Sequence, residues 1–377
     1  AEHPVLRPHR LAVGFYDEDP ATGKIVRTDR FELDVDGKST VVAAAAGKKR
    51  PAFILVNDDD LTYTKLRFDA DSLSFALANL QRFDDALARA VVWLSLWDMT
   101  RDGDLAAEKF IDTTLALLAT ETESTTFRYA LSCMSTTAWH YTAPDRRADV
   151  VKHVAKELWK LVIAAPGGSD QQFQLVTAYL GYGEEGDAEF AEHAQGLFDG
   201  SLIVVGLEID NNFTWTIINA LSSVKLIDQA GIDAQLAKRD TTENREFALG
   251  AHAVRGDAAA KEWAWNEALN NADLTNMQLE AVARGFGATP RPDLAEPYAA
   301  KYYDVVDWVW KNKSFHMAEA LLEGLYPYYA DPATLVELGH RWLADHEDAD
   351  NALKRIVRGN VESSQRTLKV RDFNAAL

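Results

Sequence analysis

The sequence predicts a mainly α-helical protein: a HEAT-like α-solenoid of stacked antiparallel helical hairpins, preceded by a small partial β-sandwich. Two observations predict this class. Up to about residue 68, apolar and polar residues alternate with the period of two that is typical of half-buried strands. From Asp69 to the end, apolar residues recur with helical spacing, and glycine, proline and aspartate interrupt them regularly. We therefore predict a partial β-sandwich domain at residues 1–68 and a helical domain at residues 69–377.

Five short strands are predicted in the β domain. They are placed at residues 10–16, 25–35, 39–42, 53–56 and 63–68. The second is the clearest, because Phe31, Leu33 and Val35 alternate with charged residues. Asp36-Gly37 follows it and is a strong signal for a hairpin turn into the third strand. We expect part of a β-sandwich that lacks its first strands, and a chain cut from a longer polypeptide, because it opens with alanine.

The predicted helices are roughly 11 to 18 residues long and are separated by short turns. The helical spacing is already clear at Leu73, Leu77 and Leu80. Gly-Asp and Ser-Asp pairs, as at residues 186–187 and 169–170, precede several of the later apolar runs and are plausible cap signals. Such helices would pair as antiparallel hairpins and stack. No sharp sequence repeat occurs, so the HEAT-like assignment depends on spacing alone.

The charge of the chain argues against nucleic-acid and membrane partners. Fifty-eight acidic residues against 39 basic ones give a net charge of -19, which repels phosphate backbones and anionic lipids. The densest basic run, residues 47–50, is a short loop. The longest apolar runs, residues 41–46 and 202–207, are too short to span a bilayer. We expect a cytoplasmic protein, because no basic segment followed by an apolar one opens the sequence.

The histidines do not form a recognisable metal motif. Residues 346–350 begin like a zincin helix, but the second histidine of that motif is missing. His340 lies six positions before His346, on another helical face, while His140 and His153 belong to separate predicted helices. Ordinary core or surface histidines are favoured over an assembled site. The sequence therefore predicts no metal ligand and no catalytic residue in this chain.

Other candidate motifs have simpler structural interpretations. Residues 181–186 match a dinucleotide-binding glycine pattern, but they follow a helix rather than a strand. The run Asn-Asp-Asp-Asp at residues 57–60 could ligate a cation, although a turn with aspartate caps is favoured. Cys133, the only cysteine, is expected to be a buried, inert thiol. Three tryptophan pairs are expected in the core rather than around a ligand: Trp93 with Trp97, Trp263 with Trp265, and Trp308 with Trp310.

Two stretches of the predicted β domain and its end, residues 9–17 (HRLAVGFYD) and residues 57–69 (NDDDLTYTKLRFD), carry a resemblance to a known family. They resemble M1-family aminopeptidases of the aminopeptidase N type. The first is similar to a strand of the family's third, β-sandwich domain, and the second to the segment that joins it to the helical domain. In that segment Tyr63 fits the family pattern, whereas Lys65 replaces an arginine. Residues 87–102 are similar to the actinobacterial branch in particular, and so are residues 285–286, 297–298, 301–303, 355–358 and 366–368.

This resemblance implies the end of the β-sandwich domain plus the ERAP1-like C-terminal domain. The family's zinc helix and its substrate-binding Gly-x-Met-Glu-Asn loop belong to an upstream catalytic domain, and neither motif occurs here. The parent protein is then expected to be a zinc enzyme, whereas this chain alone carries no cofactor and is not an enzyme. Its implied partners are its own upstream catalytic domain and the peptide substrates.

In this family the helical domain is a bowl that encloses the substrate chamber. The resemblance thus implies that the chain walls the chamber and restricts peptide access to the zinc site. We predict Tyr63 and Lys65 as contacts to the substrate cavity, because they lie where the two domains join, although stabilising that junction would suffice to explain them. The alternative function is a free-standing HEAT-like scaffold that binds a partner protein on its concave face.

Overall fold

The structure, a computed structural model, describes residues 6–377, which form two compact units. The first contains the described residues up to Val150 together with residues 372–377, and the second contains residues 151–371. The domain boundary predicted at residue 68 stays a prediction. The first five residues of the predicted β-sandwich domain lie outside the described part of the chain.

The first unit begins with a three-stranded antiparallel sheet. Its strands are β1 (His9–Glu18), β2 (Ile25–Val35) and β3 (Phe53–Asp58), in the order β2-β1-β3. Three of the five predicted strands are thereby confirmed. Within residues 6–377 this is the only sheet, so the β layer seen here is a single one.

The two other predicted strands are wrong. Residues 39–42 form no strand, because the Thr40 hydroxyl bonds the backbone N–H and C=O of Asp36 and closes a local turn before one 3₁₀ turn, Ala43–Ala45. Residues 63–68 form neither a strand nor a helix. Their alternation has another cause: Leu66 is buried, while Lys65 and Arg67 form ion pairs on the other side.

The central strand β1 is buried on both faces. Leu11, Val13 and Phe15 pack on Phe31 of β2, as the alternation of β2 predicts. Tyr16 points to the other face, where it packs against aromatic side chains that include Phe53 of β3. This double burial explains why β1 has few polar positions.

The helices of the first unit follow the sheet. They are α1 (Ala70–Asn79), α2 (Ala86–Arg101), α3 (Ala107–Leu118), α4 (Ser124–Thr136) and a π-helical turn (Thr137–Tyr141), with a 3₁₀ turn (Leu80–Arg82) after α1. Asp69 caps α1 by accepting hydrogen bonds from the N–H groups of Asp71 and Ser72. Trp93 of α2 is fully buried and donates to Thr114 of α3 at 3.2 Å, which places this tryptophan in the core as predicted.

The second unit is helical. Its helices are α6 (Asp170–Leu180), α7 (Ala188–Asp199), α8 (Asn211–Ser223), α9 (Gln229–Lys238), α10 (Thr242–Ala253), α11 (Ala258–Asn270), α12 (Asn276–Gly287), α13 (Pro292–Ala295), α14 (Ala299–Asn312), α15 (Phe315–Gly324) and α16 (Pro332–Asp345). Two more helices have residues in both units: α5 (Arg147–Ala164) and α17 (Asn351–Ala375). The predicted cap signals are confirmed at Ser169, Asp187 and Asp257, each of which accepts hydrogen bonds from the first turn of its helix.

Alternate helices of the second unit pack on one another. α6 contacts α8, α8 contacts α10, α10 contacts α12, and α12 contacts α15, while α9 packs on α10, and α11 packs on α10 and α12. The backbones of α10 and α12 approach closely: a Cβ atom on Gly285 would lie 2.6 Å from the carbonyl oxygen of Gly250. This order of contacts is what stacked helical hairpins produce, and the mainly α fold class is confirmed. The narrower HEAT-like assignment stays a prediction.

Candidate functional site

The two predicted site residues lie in the segment between β3 and α1. The side chain of Tyr63 is fully exposed. Lys65 is more than half exposed, and its Nζ atom lies 2.7 and 2.9 Å from the two carboxylate oxygens of Asp102, just after the end of α2. The structure therefore places Tyr63 and Lys65 at the same surface but in different settings, because only Lys65 has a charged partner there.

Arg67 extends this contact into a small charge network. Its Nη2 atom lies 2.5 Å from Asp102, and its Nε atom lies 2.9 Å from Asp104. Burial opposes the charge of Asp102, but the hydrogen bonds from Lys65 and Arg67 outweigh it and hold the pKa of that carboxyl below its usual value. The network joins the segment between β3 and α1 to the end of α2, and Lys65 would have to share its charge between Asp102 and any ligand.

The adjoining turn at residues 57–60 is the capped turn that the sequence favours. The side-chain amide of Asn57 donates to the carbonyl of Thr62 at 2.8 Å, and its oxygen accepts from the N–H of Thr62 at 3.0 Å. Asn57, Asp59 and Asp60 have φ values of 61°, 65° and 53°, a conformation that Asn and Asp tolerate better than other side chains.

Asp58, in the same turn, is buried, and its carboxylate accepts two hydrogen bonds. The hydroxyl of Tyr16 donates to it at 2.6 Å, and the guanidinium of Arg27 donates at 2.8 Å. Burial, followed by the hydrogen bond to Asp58, raises the pKa of Tyr16 far above its ordinary value. Asp59 binds the same arginine and also Arg30, so the carboxylates of Asp58 and Asp59 are held by protein cations rather than arranged around an ion.

The histidines are distributed over several contacts. His346 stacks on Trp342 and lies 2.9 Å from Asp307, while His340 contacts Gln365. Within residues 6–377, no three side chains of His, Cys, Asp or Glu come together in a way that could hold a metal ion. The side chains that the structure describes therefore do not fit a zinc centre.

Two further motifs have structural roles. The glycine-rich stretch at residues 181–186 links α6 to α7, two helices, so the strand that a dinucleotide fingerprint requires is not before it. Cys133 is buried in α4, and burial raises the pKa of its thiol to about 12. A thiol of such low acidity is unreactive at neutral pH, as the sequence predicts.

The structure contains a buried lysine that sequence reasoning missed. Lys261 of α11 is 2% exposed, and its Nζ atom donates to the carbonyls of Ala253, Gly285 and Phe286 at 2.6, 3.3 and 3.2 Å, and also to Thr289. These carbonyls end α10 and α12, where backbone acceptors have no partner within the helix. The sequence does contain a signal: Lys261 precedes Ala264, Trp265 and Ala268, buried residues of the same helix, by three, four and seven positions. This spacing places Lys261 on the buried face of α11.

A second missed feature is a cleft of about 390 Å³ beside the start of α6. The turn at residues 168–173 and the loop at residues 206–208 line it. Its signal was compositional: residues 161–224 contain no lysine and no arginine.

None of the helices within residues 6–377 combines the length and the apolar character that crossing a bilayer needs.

Two relationships to known proteins identify the family. The model of the ERAP1-like C-terminal domain matches residues 53–366, most of the chain. Aminopeptidase N of Streptomyces lividans is 34% identical over 373 residues, which are 99% of this chain and 43% of that protein. The chain therefore spans less than half the length of this relative. The resemblance found in the sequence is confirmed: the chain belongs to the family of ERAP1-like C-terminal domains and represents the C-terminal part of an M1 aminopeptidase of the aminopeptidase N type.

Proposed function

We propose that this chain is the non-catalytic C-terminal portion of a zinc-dependent aminopeptidase, which removes N-terminal residues from peptides. One observation carries the proposal: the family match extends over residues 53–366, in a chain whose described residues gather no metal-binding cluster. Zinc and the catalytic residues then belong to an upstream domain of the same polypeptide, which is also the principal partner of this chain.

Within that enzyme, the chain walls the substrate chamber and restricts access of peptides to the zinc site. The order of helix contacts in the second unit supports this role, because stacked helical hairpins form extended walls around a ligand. A wall of this kind excludes water and folded proteins while admitting short, flexible chains.

Hydrolysis of aminoacyl-p-nitroanilides tests the non-catalytic role. The purified 377-residue chain is compared, with and without added zinc, with the longer polypeptide that carries it, and the zinc content of both is measured. We expect turnover and bound zinc only in the longer polypeptide. Zinc-dependent turnover by the 377-residue chain would refute the assignment.

Tyr63 and Lys65 remain the proposed contacts between this chain and the peptide in the cavity. Lys65→Ala in the longer polypeptide is expected to raise KM for peptides of six to ten residues about threefold, but to leave KM for an aminoacyl-p-nitroanilide unchanged, because only a peptide reaches the chamber wall. Lys49→Ala removes an exposed lysine of the same unit and is the matched control.

A role confined to the junction predicts a different result. Loss of one exposed ion pair to Asp102 would then cost about 0.2–1 kcal/mol of stability and leave KM unchanged at every peptide length. That outcome would remove Lys65 from the cavity.

The free-standing scaffold and the cytoplasmic location stay predictions of the sequence. A scaffold would exist in cells as a separate chain of this size, whereas the proposed function requires the longer polypeptide. Immunoblotting of fractionated cells measures both the size and the compartment, and a chain of only this length would favour the scaffold.

A further inference from the structure

A stretch of the second unit combines strong negative charge with exposed aliphatic side chains. Residues 161–224 contain nine acidic residues and no lysine or arginine, so 64 residues carry nearly half of the net charge of -19. In the loop between α7 and α8, Ile203 and Val205 are 82% and 80% exposed. Exposed apolar residues with a rim of one charge sign are typical of interaction sites.

The cleft of about 390 Å³ is lined by residues 206–208, which follow Ile203 and Val205 in the same loop. Phe173 and Leu207 supply its apolar lining, whereas Asp170 and Glu208 supply its carboxylates. Glu208 makes no ion pair or hydrogen bond with any residue of the described range 6–377, while Glu185 of the same acidic segment is paired with cations of the chain. Glu208 therefore offers an unneutralised carboxylate next to an apolar surface.

The two sides of the cleft are held rigidly together. The buried side-chain amide of Gln172 accepts from the N–H of Gly168 at 2.9 Å and donates to the carbonyl of Val205 at 3.2 Å. A Cβ atom on Gly206, which has a φ of +84°, would lie 2.3 Å from the carbonyl carbon of Gly167. Backbones this close leave little freedom to the loop, so a ligand meets a preorganised surface and loses less entropy on binding.

We infer that this cleft and the neighbouring residues Ile203 and Val205 form a docking surface for an extended cationic peptide with alternating aliphatic or aromatic side chains. Charge complementarity selects this occupant: a second copy of the chain would bring the same acidic surface and a charge of -19, and nucleic acids would be repelled. The volume matches that of sites for small ligands, which suits one or two side chains of a peptide. The inference deepens the proposed function, on which it rests for the choice of a peptide as the occupant.

The test measures binding of a fluorescent peptide, acetylated and amidated at its ends, with the sequence Lys-Leu-Lys-Phe-Lys-Leu, to the 377-residue chain by anisotropy at low salt. Two matched peptides replace its lysines with glutamate or its apolar residues with serine. We expect the first peptide to bind, the glutamate peptide not to bind, and the serine peptide to bind at least about tenfold more weakly, because burying one aliphatic side chain contributes about that much affinity or more.

Variants of the chain locate the binding. Glu208→Lys is expected to weaken binding about fivefold at low salt, as reversal of one surface charge does, and Ile203→Ser combined with Val205→Ser about tenfold. Glu362→Lys makes the same charge change at an exposed position of α17 and should alter binding less than twofold. All of these side chains are exposed, and circular dichroism checks that the helical content is kept.

The inference is overturned if the chain does not bind the first peptide, if the serine peptide binds as tightly, or if Glu208→Lys and Glu362→Lys weaken binding equally. Equal weakening would mean diffuse attraction to the net charge. The capped peptide has neither a free amino group nor a carboxylate, and no turnover is measured. Failure here therefore leaves the chamber-wall proposal to its own test, and the two failures are distinguishable because one assay measures binding and the other measures turnover.

Discussion

Replacement of the buried Lys261 by methionine tests how the ends of α10 and α12 are held. Methionine has a similar length and removes the charge and all of the donors. Three main-chain carbonyls would lose a charged donor, at about 1.5–3 kcal/mol for each hydrogen bond. The variant also avoids the cost of burying a charge, which offsets much of this loss.

The free-energy cost of burying the charge can be obtained from the pKa of Lys261. Burial lowers it from the ordinary 10.5 to about 7, although Asp257 acts in the opposite direction. At 1.36 kcal/mol per pH unit, burial of the ammonium costs about 5 kcal/mol at pH 6. The net destabilisation expected from Lys261→Met at pH 6 is therefore about 2 kcal/mol, or about 30-fold in a local opening equilibrium.

The sign of the pH dependence follows from proton linkage. Between pH 7 and 10.5 the unfolded chain keeps the proton on Lys261, whereas the folded chain loses it. The stability of the wild type therefore rises with pH in this window, while that of the methionine variant gains nothing from this position. The difference between the two should grow by about 2 kcal/mol from pH 6 to pH 8.5.

Hydrogen exchange measured by mass spectrometry on peptides from α10 and α12 reads out this difference, after correction for the intrinsic exchange rate at each pH. Lys311→Met, at an exposed position of α14, is the control and should change protection little. Equal protection in Lys261→Met and wild type would show that the carbonyls are satisfied in another way. A difference that does not change with pH would show that Lys261 keeps its proton, and the linkage argument would fail.

Two further predictions concern stability. Gly14→Ala places a Cβ atom 2.6 Å from the carboxylate of Asp58 and should destabilise the sheet by about 1–3 kcal/mol. Gly359→Ala in α17, where nothing lies within 4 Å of the new Cβ atom, should stabilise the chain by up to about 1 kcal/mol. The thermal midpoints of both variants are compared with that of the wild type. Glu121→Ala breaks the bidentate pair with the buried Arg89, at 2.8 and 2.9 Å, and should cost about 3 kcal/mol. Burial opposes the charge of Glu121, but its hydrogen bonds, first of all that from Arg89, lower its pKa. The stability that the pair contributes is therefore present above about pH 4.5 and is lost as the pH falls further. Equal urea midpoints for the variant and the wild type at pH 7 would contradict the pairing.

The parts of the fold that were predicted correctly depend on local physics. Alternation identified β2 because its two faces meet different environments, the core and the solvent. Cap residues such as Ser169 and Asp257 identified helix starts because their side chains satisfy N–H groups two or three residues away. Each of these signals is complete within a few residues, so one sequence suffices to recognise it.

The failures arose where the partner lies far along the chain. The polar and apolar residues of 63–68 alternate as they would in a strand. The charged positions instead pair with Asp102 and Asp104, which follow the end of α2. Nothing near Lys65 indicates that partner. The same limit applies to the candidate site: its position between the sheet and the helices could be predicted, whereas the ion pair that holds Lys65 could not.

Lys261 shows how packing can create a polar requirement that no motif records. Gly250 and Gly285 let α10 and α12 approach so closely that the adjacent carbonyls at the helix ends are shielded from water. Shielded carbonyls need a donor, and the close backbones leave little room for a side chain from either helix. A lysine on the next helix, long enough to reach both ends, meets this need at the cost of burying its charge. The close packing that the glycines allow thus creates the need for the lysine, which explains why a charged residue occupies a core position of an otherwise apolar helix face.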